Sequence, residues 1–385
     1  MCKTNIFKMA AFVPIVLLIV SCQKQTSSTV QKEDNAARVA MLNKKPSPAL
    51  LTENVHVYAE GLNNPRGLKF GPDGNLYVAE GGLGGNLSTA GQCDQVVFPV
   101  GPYTGSPTSG RISMITGDHI RHTVSDRFPS SQANEIIGGD IEGVADIEWV
   151  NGQLFALLGG AGCSHGVSSS SNGIARVDDD GNWSLVADLS EFQHSHPVAQ
   201  PEEDDFEPDG TWYSMINVRG DLYVVEPNHG ELDKVAMPSG AISRVVDISA
   251  SQGHIVPTTI TYHGNFFVGN LHPFPNPGGA SKILKITPDG SLKDWITDLN
   301  MVLGVVIDKN NRTYVLEMTA GAPFPFPGLG RVIRIDPGGK RTVIATGLSL
   351  PTGMTMGPDG KLYVSNWGFG PPAKGGGQIL QIDVE

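Results

Sequence analysis

A hairpin pattern stands out at Pro65 to Glu80, where the sequence is PRGLKFGPDGNLYVAE. An apolar run is followed by a Pro-Asp-Gly turn and then by a second apolar run that ends in a charged residue. Short strands that flank a glycine-bearing turn are typical of β-hairpins. The pattern returns near the C-terminus, where residues 351–366 are PTGMTMGPDGKLYVSN. An internal repeat of this kind indicates that the chain is built from similar units.

Weaker copies of the hairpin fill the chain between these two. Each has a short strand, a turn that carries Gly or Asn, and a second strand, and they occupy residues 143–157, 214–226, 259–270 and 304–317. A third strand is indicated at residues 110–115, 173–177, 241–245, 282–286, 331–335 and 378–382. Fourth strands follow in five of the units. Four strands in a repeat of roughly 45 residues predict an all-β fold, a six-bladed β-propeller with four-stranded blades.

The two ends of the repeat complete one unit. The sixth unit reaches Glu385 after only three strands, while an unassigned strand at residues 55–60 precedes the first unit. We expect this N-terminal strand to complete the last blade, because a closed ring leaves no unpaired sheet edge. A large β-sandwich is the alternative fold, and it gives no reason for the two ends to complement each other. Residues 49–385 are therefore predicted to form a single propeller domain.

The first residues resemble a bacterial export signal. Lys3 and Lys8 precede an apolar run at residues 9–20, which is short for a membrane span. The run leads into Cys22 after small residues, a pattern similar to a lipobox, in which the cysteine is lipidated and anchors the protein. Residues 1–21 are therefore predicted to be a lipoprotein signal peptide. The alternative is an ordinary signal peptide with an incidental cysteine.

The residues from Cys22 onward bear on the location of the protein. Residues 22–48 are polar and are predicted to form a flexible tether. Gln23, rather than an acidic residue, follows the cysteine, which favours sorting to the outer membrane. We expect an exported protein that is lipid-anchored at Cys22 to the bacterial outer membrane, on its periplasmic or surface face.

Composition narrows the classes of function. The 385 residues include 48 Gly and 27 Pro, which indicates many tight turns. The net charge of −12 argues against nucleic acid as a partner, because phosphate binding needs a basic surface. The chain contains no Gly-x-Ser-x-Gly elbow, no phosphate-binding loop and no His-Glu-x-x-His motif. No catalytic residue is therefore assigned.

One face of the predicted propeller carries the long loops. In a blade, the loop between the second and third strands emerges on the face where the next blade's inner strand begins. These loops are rich in Gly, Pro and Phe and occupy residues 81–109, 159–172, 271–279, 320–330 and 368–377. Long loops on a rigid scaffold commonly carry function, so a binding site is predicted on this loop-rich face. The alternative is that the Pro-rich loops only pack neighbouring blades together.

The predicted ligand-binding residues lie at the ends of second strands, at the starts of inner strands, or beside these positions. They are Arg66, Glu80, Glu142, Trp212, Tyr213, Glu226, Asn270, Glu317 and Asn366. A ring of carboxylates and amides around one Arg suits a polar small molecule or a cation at the channel mouth. The alternative is that each group bonds the backbone amides of a loop. The sequence requires no cofactor and assigns no set of metal ligands, and a divalent cation near Glu142 is compatible with it.

Two cysteines of the folded body, Cys93 and Cys163, fall in equivalent loops of the first two units. Adjacent blades bring such loops together and the predicted compartment is oxidising, so a disulfide is predicted, with two free thiols as the alternative. The insertion at residues 191–209 contains His194, His196 and an acidic run. A metal-binding lid and a solvated insertion are both compatible with this composition, and we favour the solvated insertion.

Three blocks of sequence carry a resemblance to a known family. They are GLNNPRGL with FGPDGNLYVAE at residues 61–68 and 70–80, VGPYTG before SGRI at residues 100–105 and 109–112, and DGTWY at residues 209–213. In these blocks the chain resembles the ScyD/ScyE family of secreted, NHL-like six-bladed propellers, and the likeness covers nearly all residues from Val55 onward. The resemblance implies the fold and export, and it offers no catalytic residue to transfer. The lipobox departs from the family toward retention in the cell envelope.

Two groups of propeller enzymes share parts of the pattern. Gluconolactonase-like enzymes hold a divalent cation through Glu, Asn and Asp near the starts of inner strands. Glu142 would match one such ligand, but Arg66 and Thr258 at other strand starts leave the set incomplete. Quinoprotein sugar dehydrogenases begin with a similar strand pair, and for their quinone site the chain offers only His165, His272 and Arg66.

The leading hypothesis for function is a cell-envelope lipoprotein of the ScyD/ScyE type. We expect a monomer that binds a small molecule, a glycan or a protein through its loop-rich face and contacts the membrane through Cys22. The alternative is a periplasmic enzyme with its site at the channel mouth, either a quinone-dependent sugar dehydrogenase, a lactonase or a lyase. Bound metal or quinone would separate the two hypotheses.

Overall fold

The computed structural model describes residues 50–98, 100–134, 140–202, 206–371 and 374–384. These residues form six sheets, and the inner strands of consecutive sheets contact one another around a central axis. The fold is the six-bladed β-propeller that the repeat predicts. The predicted signal peptide, the tether and Cys22 lie outside the described residues.

The strands have the following bounds. The N-terminal strand is β1 (Val55–Leu62), and blade 1 contains β2 (Pro65–Phe70), β3 (Leu76–Glu80), β4 (Thr104–Ile115), β5 (Arg121–Gln132) and β6 (Ile141–Glu142). Blade 2 contains β7 (Val144–Val150), β8 (Gln153–Leu158), β9 (Gly173–Val177) and β10 (Trp183–Asp188). Blade 3 contains β11 (Ser214–Val218), β12 (Asp221–Glu226), β13 (Glu231–Ala236) and β14 (Ala241–Asp247).

The remaining blades follow the same order from the axis outward. Blade 4 contains β15 (Pro257–Tyr262), β16 (Phe266–Asn270), β17 (Ser281–Ile286) and β18 (Leu292–Leu299). Blade 5 contains β19 (Val302–Ile307), β20 (Thr313–Glu317), β21 (Gly330–Ile335) and β22 (Arg341–Leu348). Blade 6 contains β23 (Gly353–Met356), β24 (Leu362–Asn366) and β25 (Gly377–Ile382). The helices α1 (Leu189–Ser195) and α2 (Ser249–Gln252) are short, and within the described ranges no helix has the length and apolar character needed to cross a membrane.

The N-terminal strand closes the ring. β1 is the outer strand of blade 6 and pairs antiparallel with β25, from Val55 opposite Ile382 to Leu62 opposite Gly377. At the inner edge, the Thr352 hydroxyl donates to the Pro65 carbonyl at 2.6 Å and joins blade 6 to blade 1. The prediction that the N-terminal strand completes the last blade and closes the ring is therefore confirmed.

The hydrophobic core lies between neighbouring blades. Leu157 and Ile174 of blade 2, for example, pack in one cluster with Leu222 and Val224 of blade 3. Each blade is covered on both faces by its neighbours, and the second strand β24 is buried at every position. Burial on both faces explains why the second strands are continuous apolar runs instead of alternating ones.

Blade 3 differs from the prediction in its third strand. Residues 241–245, predicted to be the third strand, belong to the fourth strand β14, and the third strand is β13. The apolar pattern of β13 is interrupted by Glu231, Asp233 and Lys234. Two of these charges are buried beside Arg244, whose Nε contacts a carboxylate oxygen of Glu231, so the strand carries an internal ion pair where an apolar run was expected.

Blade 1 gains a short fifth strand. β6 pairs antiparallel with β5, with Glu142 opposite Ser131. This strand lies immediately before the inner strand β7 of blade 2. It therefore fixes the backbone of Glu142 at the loop-rich face, close to the propeller axis.

Candidate functional site

A cavity of about 160 Å³ lies on the propeller axis, on the face where the inner strands begin. Its walls include Arg66 of β2, Ala145 of β7, Thr258 of β15 and Leu303 of β19, together with Tyr213 just before β11. The second-to-third loops of several blades surround it. The cavity is therefore the channel mouth of the loop-rich face.

The polar wall of the cavity is built on three residues. Glu142 and Glu207 line the cavity, and His165 is fully buried between them. The Nδ1 atom of His165 is 3.2 Å from Oε2 of Glu142, and its Nε2 atom is 3.6 Å from Oε2 of Glu207. One potential ligand atom from each residue lies within 4.8 Å of the others, a spacing that would allow a shared metal ion.

The surroundings of His165 favour the doubly protonated ring. Nε2 lies 3.1 Å from the carbonyl oxygen of Gly210, which can only accept a hydrogen bond, so Nε2 carries a proton. Nδ1 lies 3.1 Å from the hydroxyl of Ser131 and faces Glu142. Burial alone lowers the pKa of His165, but the hydrogen bond and charge of Glu142, with the charge of Asp209, outweigh burial and raise it. The group is best described as an imidazolium held between two carboxylates.

Neighbouring hydroxyl groups hold the two carboxylates in place. The phenol of Tyr103 donates to Oε1 of Glu207 at 3.0 Å, and the hydroxyl of Thr211 donates to Oε1 of Glu142 at 2.8 Å. These bonds come from blade 1 and from the segment that leads into blade 3. The polar wall is therefore assembled from distant parts of the chain, and its geometry depends on how blades 1 to 3 pack together.

The predicted disulfide is confirmed and lies beside this wall. Cys93 and Cys163 are joined and link the long loops of blades 1 and 2. Cys163 begins a short 3₁₀ turn that ends at His165, and the hydroxyl of Thr89 donates to the carbonyl oxygen of Cys163. The disulfide thus fixes the short turn that carries His165.

Arg66 and Tyr213 form the floor of the cavity. The guanidinium of Arg66 donates to the carbonyl oxygen of Ile141 and lies 5.5 Å from the centre of the Tyr213 ring, within the range of a cation–π contact. The phenol of Tyr213 donates to the carbonyl oxygen of Thr352 at 2.9 Å. The two side chains therefore contact each other at the axis, and each is also held by a backbone carbonyl.

Tyr213 also borders the rest of the channel. A second cavity of about 220 Å³ lies below it, lined by Tyr213, Lys69, Asp146 and hydroxyl groups such as that of Thr259. Burial raises the pKa of Asp146 to about 6, against the opposing charge of Lys69. The lower channel is polar, and Tyr213, Thr258 and Leu303 line both cavities.

The opposite wall of the mouth is apolar. It is formed by side chains from blades 4, 5 and 6, namely Leu271, Phe274, Met318 and Phe369. Met318 is fully buried and packs with these residues in one cluster. The cavity thus has a charged side and an aliphatic and aromatic side.

The nine residues predicted from the sequence divide into two groups. The structure brings Arg66, Glu142, Trp212 and Tyr213 together around the cavity. The other five are at second-strand ends and do not line the described cavity: Glu80, Glu226, Asn270, Glu317 and Asn366. Their oxygens accept hydrogen bonds, at 2.6 to 2.8 Å, from the backbone nitrogens of Asn63, Thr211, Lys282, Asn300 and Ser349. These five residues therefore make the contacts of the alternative interpretation, in which each side chain bonds the backbone amides of a loop.

Sequence reasoning missed Glu207 and gave His165 only a minor part. Glu207 lies in the insertion at residues 191–209, which was expected to be solvated, but Glu207 and Asp209 are both buried. The available signal was the sequence Glu-Pro-Asp-Gly, a turn placed directly before the aromatic pair at residues 212 and 213. His194 and His196 of the same insertion are not members of the His165 cluster.

Comparison with known proteins supports the fold. No protein-family model matches the chain, and no curated protein matches it in sequence. A protein of unknown function from Bacteroides thetaiotaomicron VPI-5482 matches with a TM-score of 0.53 and 11% identity, over 87% of this chain and 77% of that chain. A candidate oxidoreductase (glucose dehydrogenase) from Thermus thermophilus matches with a TM-score of 0.53 and 16% identity, over 86% of this chain and 99% of that chain.

A gluconolactonase from Xanthomonas campestris matches with a TM-score of 0.49 and 12% identity, over 86% of this chain and 89% of that chain. At such identities a structural match bears on the fold alone and carries no activity to this chain. The chain is a six-bladed β-propeller, and the two matches with a TM-score of 0.53 support this fold. The narrower resemblance to the ScyD/ScyE family stays a prediction.

Proposed function

We propose that the protein is a binding propeller that holds a small organic molecule in the channel-mouth cavity. The observation that carries this proposal is the pairing of a carboxylate wall at Glu142 and Glu207 with an apolar wall at Phe274 and Phe369. Small-molecule sites usually combine an apolar lining with a few fixed polar groups that orient the ligand. The apolar wall favours a ligand with an apolar part, and a volume of about 160 Å³ suits a small molecule.

The state of His165 supports an organic ligand over a metal ion. A metal takes a lone pair from a neutral imidazole nitrogen. Nε2 of His165 is committed as a donor to the carbonyl of Gly210, and Nδ1 faces the carboxylate of Glu142. A proton shared in this ion pair already supplies the positive charge that a metal would bring.

A propeller enzyme is the second candidate, and a specific observation favours it. The cluster of Glu142, His165 and Glu207 has a spacing that a divalent cation would fit if Nδ1 lost its proton. Such a cation would act as a Lewis acid on a ligand in the cavity. The three residues would be its protein ligands, and the adjacent cavity would admit the substrate.

Two measurements on the purified protein test the proposal. Ligand-observed NMR with a set of single-ring compounds should detect binding, and Leu271→Trp should abolish it by filling the cavity. Leu185→Trp on the outer strand β10 is the matched control, because Leu185 is exposed and distant from the cavity. Elemental analysis should find no stoichiometric metal. One equivalent of divalent metal that is lost in Glu142→Gln would favour the enzyme instead.

We also propose that the protein is a monomeric cell-envelope lipoprotein of the ScyD/ScyE type, anchored at Cys22 to the outer membrane. The export signal, the lipobox and the sequence blocks quoted above support this part of the proposal. Replacement of the lipidated residue, Cys22→Ser, should move the protein from the membrane fraction to the soluble fraction of the envelope. Unchanged fractionation would contradict lipidation.

A further inference from the structure

The channel-mouth cavity carries an excess of negative charge. The carboxylates of Asp140, Glu142 and Glu207 line it, together with the guanidinium of Arg66. The imidazolium of His165 adds a second positive charge behind the carboxylates. The three carboxylates outnumber the cationic groups whether or not His165 is protonated, and the resulting negative field attracts cations and repels anions.

Glu142 is the carboxylate best placed to meet a ligand. An ionised carboxylate has about four acceptor positions. In Glu142, Oε1 accepts from Thr211 and Oε2 faces His165, so acceptor capacity is left over. The side chain of Glu142 is 14% exposed, whereas His165 behind it is fully buried. The partly exposed side chain of Glu142 therefore forms part of the cavity wall.

Arg66 does not offer an equally good site for an anion. Its guanidinium donates to the carbonyl oxygen of Ile141 and stacks over Tyr213, and both contacts use its charge within the protein. An anionic ligand would also have to approach Glu142 and Glu207 across a narrow cavity. Like charges repel, and they repel more strongly where burial lowers the effective dielectric constant.

The size of the cavity limits the apolar part of the ligand. Its volume is about 160 Å³, and a protein cavity of about 150 Å³ lined by apolar side chains holds one benzene molecule. Phe274, Phe369 and Met318 provide the surface against which a flat ring would pack. A ligand with two fused rings would need the floor at Tyr213 to move.

Building on the proposed binding function, we infer that the ligand is a protonated amine carried on a single six-membered ring. The ammonium group donates to Glu142, and the ring packs against Phe274 and Phe369. The buried imidazolium of His165 holds the carboxylate in position from behind.

The inference is tested with three probes of matched shape: benzylamine, benzyl alcohol and benzoate. Dissociation constants are measured by NMR titration for the wild-type protein, for Glu142→Gln and for Glu60→Gln. Glu60 lies on the exposed side of β1 and serves as the control for loss of one negative charge far from the cavity. Thermal denaturation of each variant verifies that it is folded.

We expect benzylamine to bind at least about tenfold more tightly than benzyl alcohol, because a hydrogen bond to a charged partner is stronger than a neutral one. Benzoate should bind most weakly. Glu142→Gln should remove the preference for the amine, since the ammonium loses its charged partner while the apolar contacts of the ring stay the same. Glu60→Gln should bind all three probes as the wild type does.

Three results would each overturn a different part of the proposal. Equal or tighter binding of benzyl alcohol or benzoate, or an amine preference that survives in Glu142→Gln, would refute the inference about charge while leaving a cavity that binds small molecules. Failure of all three probes to bind at millimolar concentration would refute the single-ring ligand. Failure of the wider set of single-ring compounds to bind the wild-type protein would refute the proposed function itself.

Discussion

Loss of the disulfide between Cys93 and Cys163 is expected to lower the free energy of unfolding by about 4 kcal/mol. The two cysteines are separated by 70 residues. The chain-entropy treatment gives about 3 kcal/mol for a loop of about 15 residues and about 4.7 kcal/mol for about 100 residues, so a loop of this size falls near 4 kcal/mol. The perturbation is the double variant Cys93→Ser, Cys163→Ser, which leaves no free thiol in the propeller.

Urea denaturation of the wild type and of the double variant measures this difference, and wild type treated with a reductant should behave as the variant does. The effect should also reach the cavity, because Cys163 begins the turn that ends at His165. An NMR titration of His165 is expected to show a lower pKa in the variant, since a looser turn weakens the contact with Glu142. A stability loss below about 1 kcal/mol would show that the disulfide does not constrain the unfolded chain as reasoned.

Three further outcomes are expected. Because the pKa of His165 is raised, its contribution to stability is present below the ordinary pKa of 6.5 and is lost as pH rises through the folded value. Urea denaturation should therefore show a free energy of unfolding that falls as pH rises above 6.5, and this fall should be absent in His165→Gln. Gly67→Ala should lower the free energy of unfolding by about 3 kcal/mol or more, since an added Cβ would lie 2.0 Å from Oδ1 of Asp146. The control Gly117→Ala should be nearly neutral, because its added Cβ would have nothing within 4 Å. Similar stability of the two variants would contradict this packing. Leu380→Ala, at a fully buried position of β25, should cost about 2 to 5 kcal/mol in the same assay, and a loss well below that would mean the last blade is loosely packed.

The sequence was sufficient to predict the fold because two independent features of it indicate the repeat. Paired apolar strands around a turn mark each hairpin, and the strand at Val55 to Leu62 complements the incomplete sixth unit. The pattern failed at β13, where charged residues are buried as internal pairs and no longer resemble a core strand. Periodicity detects burial of apolar side chains, but it does not detect burial of an ion pair.

The candidate site could be predicted only in part. The position of Arg66 and Tyr213 follows from the start of the inner strands, which the repeat defines. Whether a strand-end carboxylate faces the axis or a loop amide depends on the path of the loop, and this path is not visible in the sequence. Glu80 and Glu142 both flank strands, yet only Glu142 lines the cavity. Glu207 could not be assigned because its partner Tyr103 is far away in the chain.

Closure by β1 determines how the ring would respond to a mechanical load. Val55 is opposite Ile382, so the two chain ends leave the β1–β25 pair at the same end. Tension between the termini would therefore break the hydrogen bonds of this pair one after another, beginning at Val55, rather than shearing them all at once. Before that, the segment ahead of β1 would have to leave blade 5, where Asn54 donates to the carbonyl of Ile344 at 3.0 Å. A pull on the N-terminus would therefore peel β1 from blade 6 first, while the hydrogen bond between Thr352 and Pro65 still joined blade 6 to blade 1.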